Sequence, residues 1–242
     1  MLYYKFVGET SKLFSDRIKS ELGAQKVCLC GKLDPMARGY TKILIDNDAK
    51  KMPDFLQSEK EYEFYLALGI STDSDDILGH ITDFQDRISD VNRYVIDNFM
   101  NELKSVHLQN YHHYSAINIK KNNVRRPLWY WYKNNNLNED EIPKKSVKVI
   151  NLECLGELNI SLKKYIDNVL YRLSKITDSN FSLPTIQNSW LNFNKISEII
   201  LLKYRIRVSS GFYIRMIAKD LKKKGIACHI FDINRTKIFE KK

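Results

Sequence analysis

Apolar residues recur along this chain with two different spacings, and the segments that carry them alternate without a fixed rhythm. Phe14, Ile18 and Leu22 lie four residues apart, as on one face of a helix, and Gly23 follows as a helix stop. Between residues 61 and 70 the apolar residues instead favour every second position, as in a strand. A regular βαβ rhythm would indicate a parallel sheet, and the sequence has none. The pattern therefore predicts an α+β fold with a mixed, largely antiparallel sheet flanked by helices.

The same patterns predict the remaining elements of a single domain over residues 1–242. Helical spacing covers residues 83–103, 162–176 and 212–224. The other strand-like segments are 41–46, 111–119, 146–152, 202–209 and 227–238, whereas 71–79 is an acidic loop and 181–200 fits neither pattern.

Charge and cysteine content narrow the class of protein. The 242 residues carry a net charge of +10, which favours a polyanionic partner such as a nucleic acid, although a basic surface also serves solubility alone. The sequence has neither an N-terminal targeting segment nor an apolar run long enough for a bilayer, so we expect no membrane association. The four cysteines have no zinc or redox spacing, which favours free thiols in a reducing compartment such as the cytoplasm.

The five histidines give no sign of a metal centre. They form neither an H-E-x-x-H nor a C-x-x-C…H pattern. His112 and His113 are adjacent, so on a strand their side chains would face opposite ways. We therefore expect no metal site.

The residues that carry chemistry occur in a definite order along the chain. The first segment, Gly31-Lys32-Leu33-Asp34-Pro35-Met36-Ala37-Arg38-Gly39, would by itself predict only a turn. The segments that follow are Lys60-Glu61-Tyr62 with Leu68-Gly69, Thr72-Asp73-Ser74 with Asp76 and Gly79, Tyr114-Ser115-Ala116 after Gln109, Ser210-Gly211-Phe212-Tyr213-Ile214-Arg215, and Arg235-Thr236. This ordered set closely resembles the TruB family of tRNA pseudouridine synthases, over most of residues 1–149 and all of 204–239.

The resemblance implies a pseudouridine synthase fold and the isomerisation of uridine to pseudouridine in RNA. It assigns Asp34 as the catalytic aspartate, Tyr62 as the active-site tyrosine and Arg215 as the active-site arginine. The family's usual substrate, uridine 55 in the T arm of tRNA, is the expected target. No cofactor is expected, because an isomerisation has no redox step.

Elementary chemistry fits these roles. An anionic Asp34 stabilises or traps the electron-poor sugar, or abstracts a sugar proton, and the sequence leaves these routes open. A guanidinium such as that of Arg215 opposes the rise in pKa that burial imposes on a carboxyl group, although a lone arginine equally binds phosphate or a surface acid. Tyr62 offers a ring for stacking on uracil, and Tyr65 would point to the other face of its strand. Asp73 and Asp76 are expected to order their loop through hydrogen bonds.

A uridine in stacked RNA must be flipped out before it reacts, which requires a basic surface that grips the backbone. We expect Lys32, Tyr213 and Ile214 to contact the substrate, with Ile214 lining the base pocket. The basic residues Arg125, Arg126, Lys144 and Lys145 flank the aromatic run Trp129-Tyr130-Trp131-Tyr132, a mixture that suits RNA. Core packing explains the two tryptophans equally well.

The chain also departs from the family pattern. Leu29 occupies the position of a family histidine, which affects base flipping or RNA fit more than bond chemistry. Residues 158–200 form a longer connection than the family has at this place, which predicts a helical insertion. Because the chain ends soon after Arg235-Thr236, we expect no PUA domain, no guide-RNA complex and a stand-alone monomer. A tRNA-binding chaperone with weak catalysis, or an enzyme for another RNA, are the alternatives.

Overall fold

The computed structural model of the chain describes residues 1–88, 91–178 and 181–239. The strands are β1 (Leu2–Lys5), β2 (Val27–Cys30), β3 (Arg38–Ile45), β4 (Glu59–Leu68), β5 (Ile70–Thr72), β6 (Ile81–Phe84), β7 (Val106–Asn110), β8 (Asn118–Lys121), β9 (Val124–Pro127), β10 (Lys144–Ser161), β11 (Glu198–Val208) and β12 (Cys228–Phe239). The helices are α1 (Ser11–Leu22), α2 (Met52–Leu56), α3 (Arg93–Glu102), α4 (Leu128–Lys133), α5 (Leu162–Leu173), α6 (Leu183–Leu191) and α7 (Arg215–Lys223).

A central sheet joins strands that are far apart in the sequence. Its order is β1-β3-β12-β4-β11-β10-β7, and β2 pairs with β3 outside this path. The ladders are antiparallel except between β12 and β3, which run parallel where Asn234 lies opposite Arg38. The predicted α+β fold with a mixed, largely antiparallel sheet is confirmed.

Gly39 permits the close approach of β3 to β12. It has a φ of +124°, and a Cβ atom there would lie 2.3 Å from the carbonyl oxygen of Arg235. A residue with a side chain would therefore push the two strands apart.

Helices cover both faces of the sheet, and β4 shows why. Its residues alternate in burial, with Phe64 and Leu66 in a core shared with α3 and α7. Ala67 belongs to a second core, formed with α5 and α6, against which Tyr65 packs. A strand with two buried faces needs a layer on each side. Tyr62 and Tyr65 thus face opposite ways, as predicted.

Two predicted elements differ from the structure. The helix expected over residues 83–103 is confirmed only as α3, because Phe84 pairs with Ile70 in a two-stranded sheet and Asn92 caps the helix by accepting a hydrogen bond from the Val95 N–H. Residues 89 and 90 of that prediction lie outside the described residues. The strand expected over residues 111–119 is wrong, since the Ser115 N–H bonds to the His112 carbonyl at 2.8 Å and makes a turn before β8.

The predicted helix over residues 212–224 begins later, at Arg215, and a tighter turn precedes it, in which the Met216 N–H bonds to the Tyr213 carbonyl at 3.1 Å. The Tyr213 N–H bonds to the Gln109 side chain at 2.7 Å. The strands predicted at 41–46, 146–152, 202–209 and 227–238 correspond to β3, β10, β11 and β12, and three of these extend well beyond the predicted limits.

Residues 158–200 contain α5 and α6, which are followed by β11. The strand residues at either end of this segment pair with each other, from Leu158 opposite Leu201 to Ser161 opposite Glu198. The Tyr165 hydroxyl lies 2.6 Å from His229 Nε2, which ties α5 to β12. That the segment is an insertion stays a prediction. None of the helices in the described ranges has the length and apolar character needed to cross a bilayer.

Candidate active site

Asp34 lies in the loop between β2 and β3, and two buried basic side chains hold this loop by its backbone. Lys5 Nζ donates to the carbonyl of Ala37 at 2.7 Å and to that of Pro35 at 3.4 Å. Arg235 Nη2 donates to the Gly31 carbonyl at 3.1 Å. Both residues are 1% exposed. Burial lowers the pKa of Lys5 to about 7, against the opposing effects of Glu9 and Asp34. The sequence patterns had given Lys5 no role.

Arg215, the first residue of α7, brings two distant carboxylates together. Its Nε lies 2.9 Å from Asp34 Oδ2, and its Nη1 lies 3.6 Å from Asp76 Oδ2. The Nε–H is not aligned for a hydrogen bond, so the contact with Asp34 is an ion pair. Burial, the largest effect, disfavours the charged guanidinium, but the fields of Asp34, Asp76 and Asp75 outweigh it and raise the pKa of Arg215. The guanidinium therefore stays charged inside the protein.

Asp76 is the buried member of this group, and its loop is held by its own hydrogen bonds. Its Oδ1 accepts from the Ser74 hydroxyl at 2.6 Å and from the Leu78 N–H at 2.9 Å. Burial raises the pKa of Asp76 to about 6, although Arg215 opposes the rise. The predicted role of Asp73 and Asp76 in ordering the loop is confirmed, since Asp73 Oδ1 also accepts from the His80 N–H at 2.9 Å. The contact of Asp76 with Arg215 was missed, because a single sequence does not reveal which charges meet.

Tyr62 belongs to the apolar cluster that supports both charged residues. It is 8% exposed on β4, in the same cluster as Leu33 and Ile214, the sequence neighbours of Asp34 and Arg215. The cavity that Asp34 lines measures about 10 Å³, which is room for about one water molecule. This cavity by itself is too small for a uracil ring.

Tyr213 joins the other predicted segments to this site. Its hydroxyl lies 2.6 Å from Ser115 Oγ, and its N–H donates to Gln109 Oε1 at 2.7 Å. Its ring meets that of Tyr111 edge-on, with 5.5 Å between centroids. Burial raises the pKa of Tyr213 to about 12, so the hydroxyl remains protonated.

The predicted basic residues divide into two groups. Lys145 Nζ donates to Ser210 Oγ at 3.2 Å, beside Gly211, and lines a cleft of about 480 Å³ with Arg207. Lys32 is exposed two residues before Asp34, and Lys144 is exposed at the start of β10. Arg125 and Arg126 are exposed on the separate β8–β9 hairpin.

The aromatic run on α4 is divided between the core and the surface. Trp131 is 7% exposed and packs inside, whereas Trp129, Tyr130 and Tyr132 are each 37% exposed. The Arg126 guanidinium lies 5.5 Å from the Tyr130 ring centroid. The exposed rings and cations therefore form a mixed surface on one side of the hairpin.

Asp75, His112 and His113 have donor atoms within 4.8 Å of one another, the spacing of metal ligands. The two histidines are stacked with 4.4 Å between centroids, so the expectation that they face opposite ways is wrong, because they occupy a turn and not a strand. Their donors are engaged: His112 Nε2 lies 2.9 Å from Asp75 Oδ2, and His113 Nε2 lies 3.2 Å from the Asp73 carbonyl.

Two lysines complete this cluster. Lys222 contacts the Asp75 carboxylate, and Lys219 Nζ lies 3.3 Å from His113 Nδ1. Burial, and after it the charge of Lys219, lower the pKa of His113 to about 4. A hydrogen-bonded network with two ammonium groups repels a further cation and does not fit a metal ion.

Both the sequence and the fold match known proteins. Residues 19–166 match the family model described as TruB family pseudouridylate synthase (N terminal domain). The tRNA pseudouridine synthase B of Syntrophus aciditrophicus (strain SB) is 33% identical over 128 residues, which are 52% of this chain and 39% of that protein. The protein of the same name from Blochmanniella floridana is 32% identical over 184 residues, which are 74% of this chain and 68% of that protein.

The fold is similar to a chain in a crystal structure of a Cbf5-Nop10-Gar1 complex. The TM-score is 0.56 at 17% sequence identity, over 99% of this chain and 49% of that chain. The chain thus spans about half the length of this structural neighbour, and the likeness is one of fold.

Proposed function

The chain belongs to the TruB family of pseudouridylate synthases, and from that premise we propose that it isomerises uridine to pseudouridine in RNA. The observation that carries the proposal is the group formed by Asp34, Arg215 and Asp76, which three separate segments of the chain supply. Asp34 is the most exposed of the three, with 33% of its side chain accessible, whereas Arg215 and Asp76 are 5% and 6% accessible. Substrate therefore meets the carboxylate of Asp34, with the other two behind it.

The chemistry follows from this arrangement. Isomerisation breaks the bond between N1 and C1′, turns the uracil and joins C1′ to C5, after which C5 loses a proton and N1 gains one. Positive charge develops on the sugar as the first bond breaks, and the Asp34 carboxylate stabilises it or bonds to it. Arg215 forms an ion pair with the Asp34 carboxylate at 2.9 Å, and Asp76 lies 3.6 Å from the other end of the same guanidinium. Tyr62 packs against the flipped base.

We propose tRNA as the RNA, with uridine 55 of the T arm as the target. The names of the Syntrophus and Blochmanniella relatives support a tRNA substrate. Lys145 lines a cleft beside Gly211 and is suited to a backbone phosphate, whereas Arg207 in the same cleft is paired with Glu59 at 2.7 Å. Arg125 and Arg126, next to the exposed aromatic rings of α4, would grip a second part of the same RNA. The proposed enzyme acts as a monomer without a guide RNA or cofactor.

Release of tritium from uridine labelled at C5 tests the proposal, because C5 loses its hydrogen only when the new bond forms. We expect release from tRNA that contains uridine 55 and none from tRNA in which cytidine replaces it. The matched control for Asp34→Asn is Asp73→Asn, because Asp73 is also a loop aspartate but its carboxylate accepts a hydrogen bond from the His80 N–H of the same loop. Asp34→Asn should abolish release and Asp73→Asn should retain it. Tight tRNA binding without release would instead indicate an RNA chaperone, and release from another RNA would change the assigned substrate.

A further inference from the structure

A second cavity, of about 580 Å³, lies on the far side of the sheet from Tyr62. We call it the α5 cavity. Its walls are α5, the end of β10 and the sheet face that carries Tyr65, Phe231 and Asp232. Its volume lies in the range of small-ligand sites, about 300–1,000 Å³. Neither the proposed chemistry at Asp34 nor the motif pattern gives this region a role.

The α5 cavity has a net positive charge because a single carboxylate is paired with two guanidinium groups. Arg38 Nη2 and Arg172 Nη1 each lie 2.9 Å from an oxygen of Asp232, whose side chain is 2% exposed. Lys164 adds a third cation to the lining. Among the residues that the structure describes, Asp232 is the hydrogen-bond partner of the Arg172 guanidinium through Nη1, so the Nε and Nη2 donors remain available. Such donors suit a phosphate group.

The remaining lining residues suit a nucleobase. The Arg172 guanidinium lies 4.6 Å from the centroid of the Phe231 ring, and the half-buried Tyr65 ring lies in the same wall. Bases stack on aromatic rings and on arginine planes. Asn159 and Asn168 add amide groups, and Asn168 Oδ1 is a ready acceptor because only its Nδ2 is used, in a bond to the Lys164 carbonyl. Amides of this kind pair with base edges.

We propose that the α5 cavity binds a nucleotide, with the phosphate on Arg172 and Lys164 and the base against Tyr65 and the asparagine amides. The nucleotide is either a free mononucleotide or a unit of an RNA chain. A purely structural role for the Arg38–Asp232–Arg172 group would tie α5 to the sheet but would leave Lys164 and the asparagines unused. The site does not depend on isomerase activity at Asp34.

The test is a calorimetric titration of the whole protein with uridine 5′-monophosphate at low ionic strength. Lys164→Glu reverses a charge in the lining, and Lys163→Glu reverses the charge next to it on α5 without lining the cavity. We expect Lys164→Glu to weaken binding about tenfold and Lys163→Glu to change it less than about twofold. A molecule bound beside Asp34 would respond to neither. Equal affinities in the two variants would overturn the proposal.

Two further probes define the ligand. Inorganic phosphate and uridine alone should each bind more weakly than the monophosphate, and phosphate that binds as tightly would overturn a nucleotide site. The affinity of a T-arm stem-loop for the same variants distinguishes the sources. If the Lys164→Glu variant alone binds the stem-loop more weakly, the nucleotide in the cavity belongs to an RNA chain. If it binds the stem-loop with unchanged affinity but has lost the monophosphate, the ligand is a free nucleotide. Tritium release at saturating RNA should be equal in both variants. A failure of the proposed isomerase activity is therefore distinguishable from a failure of the proposed nucleotide site.

Discussion

Replacing Arg215 by lysine tests whether the site requires the planar guanidinium or only a positive charge. The guanidinium reaches Asp34 through Nε and Asp76 through Nη1, over 2.9 and 3.6 Å. An ammonium group is a single point and serves only one of these carboxylates well. Lysine would therefore leave either Asp34 poorly directed or the buried Asp76 without its cation.

The size of the effect follows from the burial of these groups. Removing one partner of a buried ion pair costs about 3–5 kcal/mol, and a lysine keeps part of the attraction, so we expect the free energy of unfolding to fall by about 2 kcal/mol. For a chain of 242 residues this lowers Tm by about 4–8 °C. Misdirection of Asp34 should lower kcat about 10²–10³-fold, as does the loss of one well-placed electrostatic contact in other enzymes.

Thermal unfolding and single-turnover tritium release measure the two effects. Arg205→Lys is the matched control, because Arg205 pairs with Glu63 at 2.8 Å but is 38% exposed, and we expect a change within about 0.5 kcal/mol. Wild-type kcat and Tm in Arg215→Lys would refute the reasoning and show that any nearby positive charge suffices.

Three further substitutions test the site. Asp34→Asn should lower the isomerisation rate by about 10⁴-fold while RNA affinity in a filter-binding assay stays within about twofold; a rate near wild type removes Asp34 from the mechanism. Tyr62→Phe keeps the ring and should lower kcat about tenfold if the hydroxyl takes part, whereas an unchanged kcat in the same assay leaves only stacking. The pKa of Asp76 is raised from 3.8 to about 6, so its protonated form favours the folded state and the contribution of Asp76 to stability should fall as pH rises between these values. The buried His113, whose pKa is lowered to about 4, contributes in the opposite direction, so the contribution of Asp76 is read from the difference between wild type and variant. The loss is about 3 kcal/mol, and Asp76→Asn should remove that slope from Tm measured against pH; parallel curves for the two proteins would contradict the shift.

The sequence predicted the meeting of Asp34 and Arg215 better than the segments around them, for a physical reason. Asp34 and Arg215 are recognisable because short motifs surround them, and their ion pair was an expected consequence of burying a carboxylate. Asp76 was seen only as a loop residue, since its partner lies well over a hundred positions away. Lys5 and Arg235 bond to backbone carbonyls, which every residue possesses, so no pattern of side chains marks their targets.

Helices and strands were predicted where one face of the element is apolar. They were missed where tertiary pairing or local hydrogen bonds determine the backbone conformation. The helix expected over residues 83–103 shortened because Phe84 pairs with Ile70, a tertiary contact that overrides helical spacing. The strand expected over residues 111–119 became a turn through bonds of His112 and Ser115 to nearby backbone groups. The roles of the basic residues stay predictions, because exposed side chains fold equally well with or without RNA.

The position of β12 between β3 and β4 determines when the protein can mature during synthesis. β3 and β4, which β12 joins in the sheet, stay apart until the ribosome has made Cys228–Phe239. Until then both present open edges, which pair readily with other chains. Arg235, which grips the Asp34 loop, arrives with the same strand. A nascent chain that stalls before residue 228 therefore lacks the Arg235 contact to the Asp34 loop and is prone to aggregate, and closing the sheet supplies that contact in the same event.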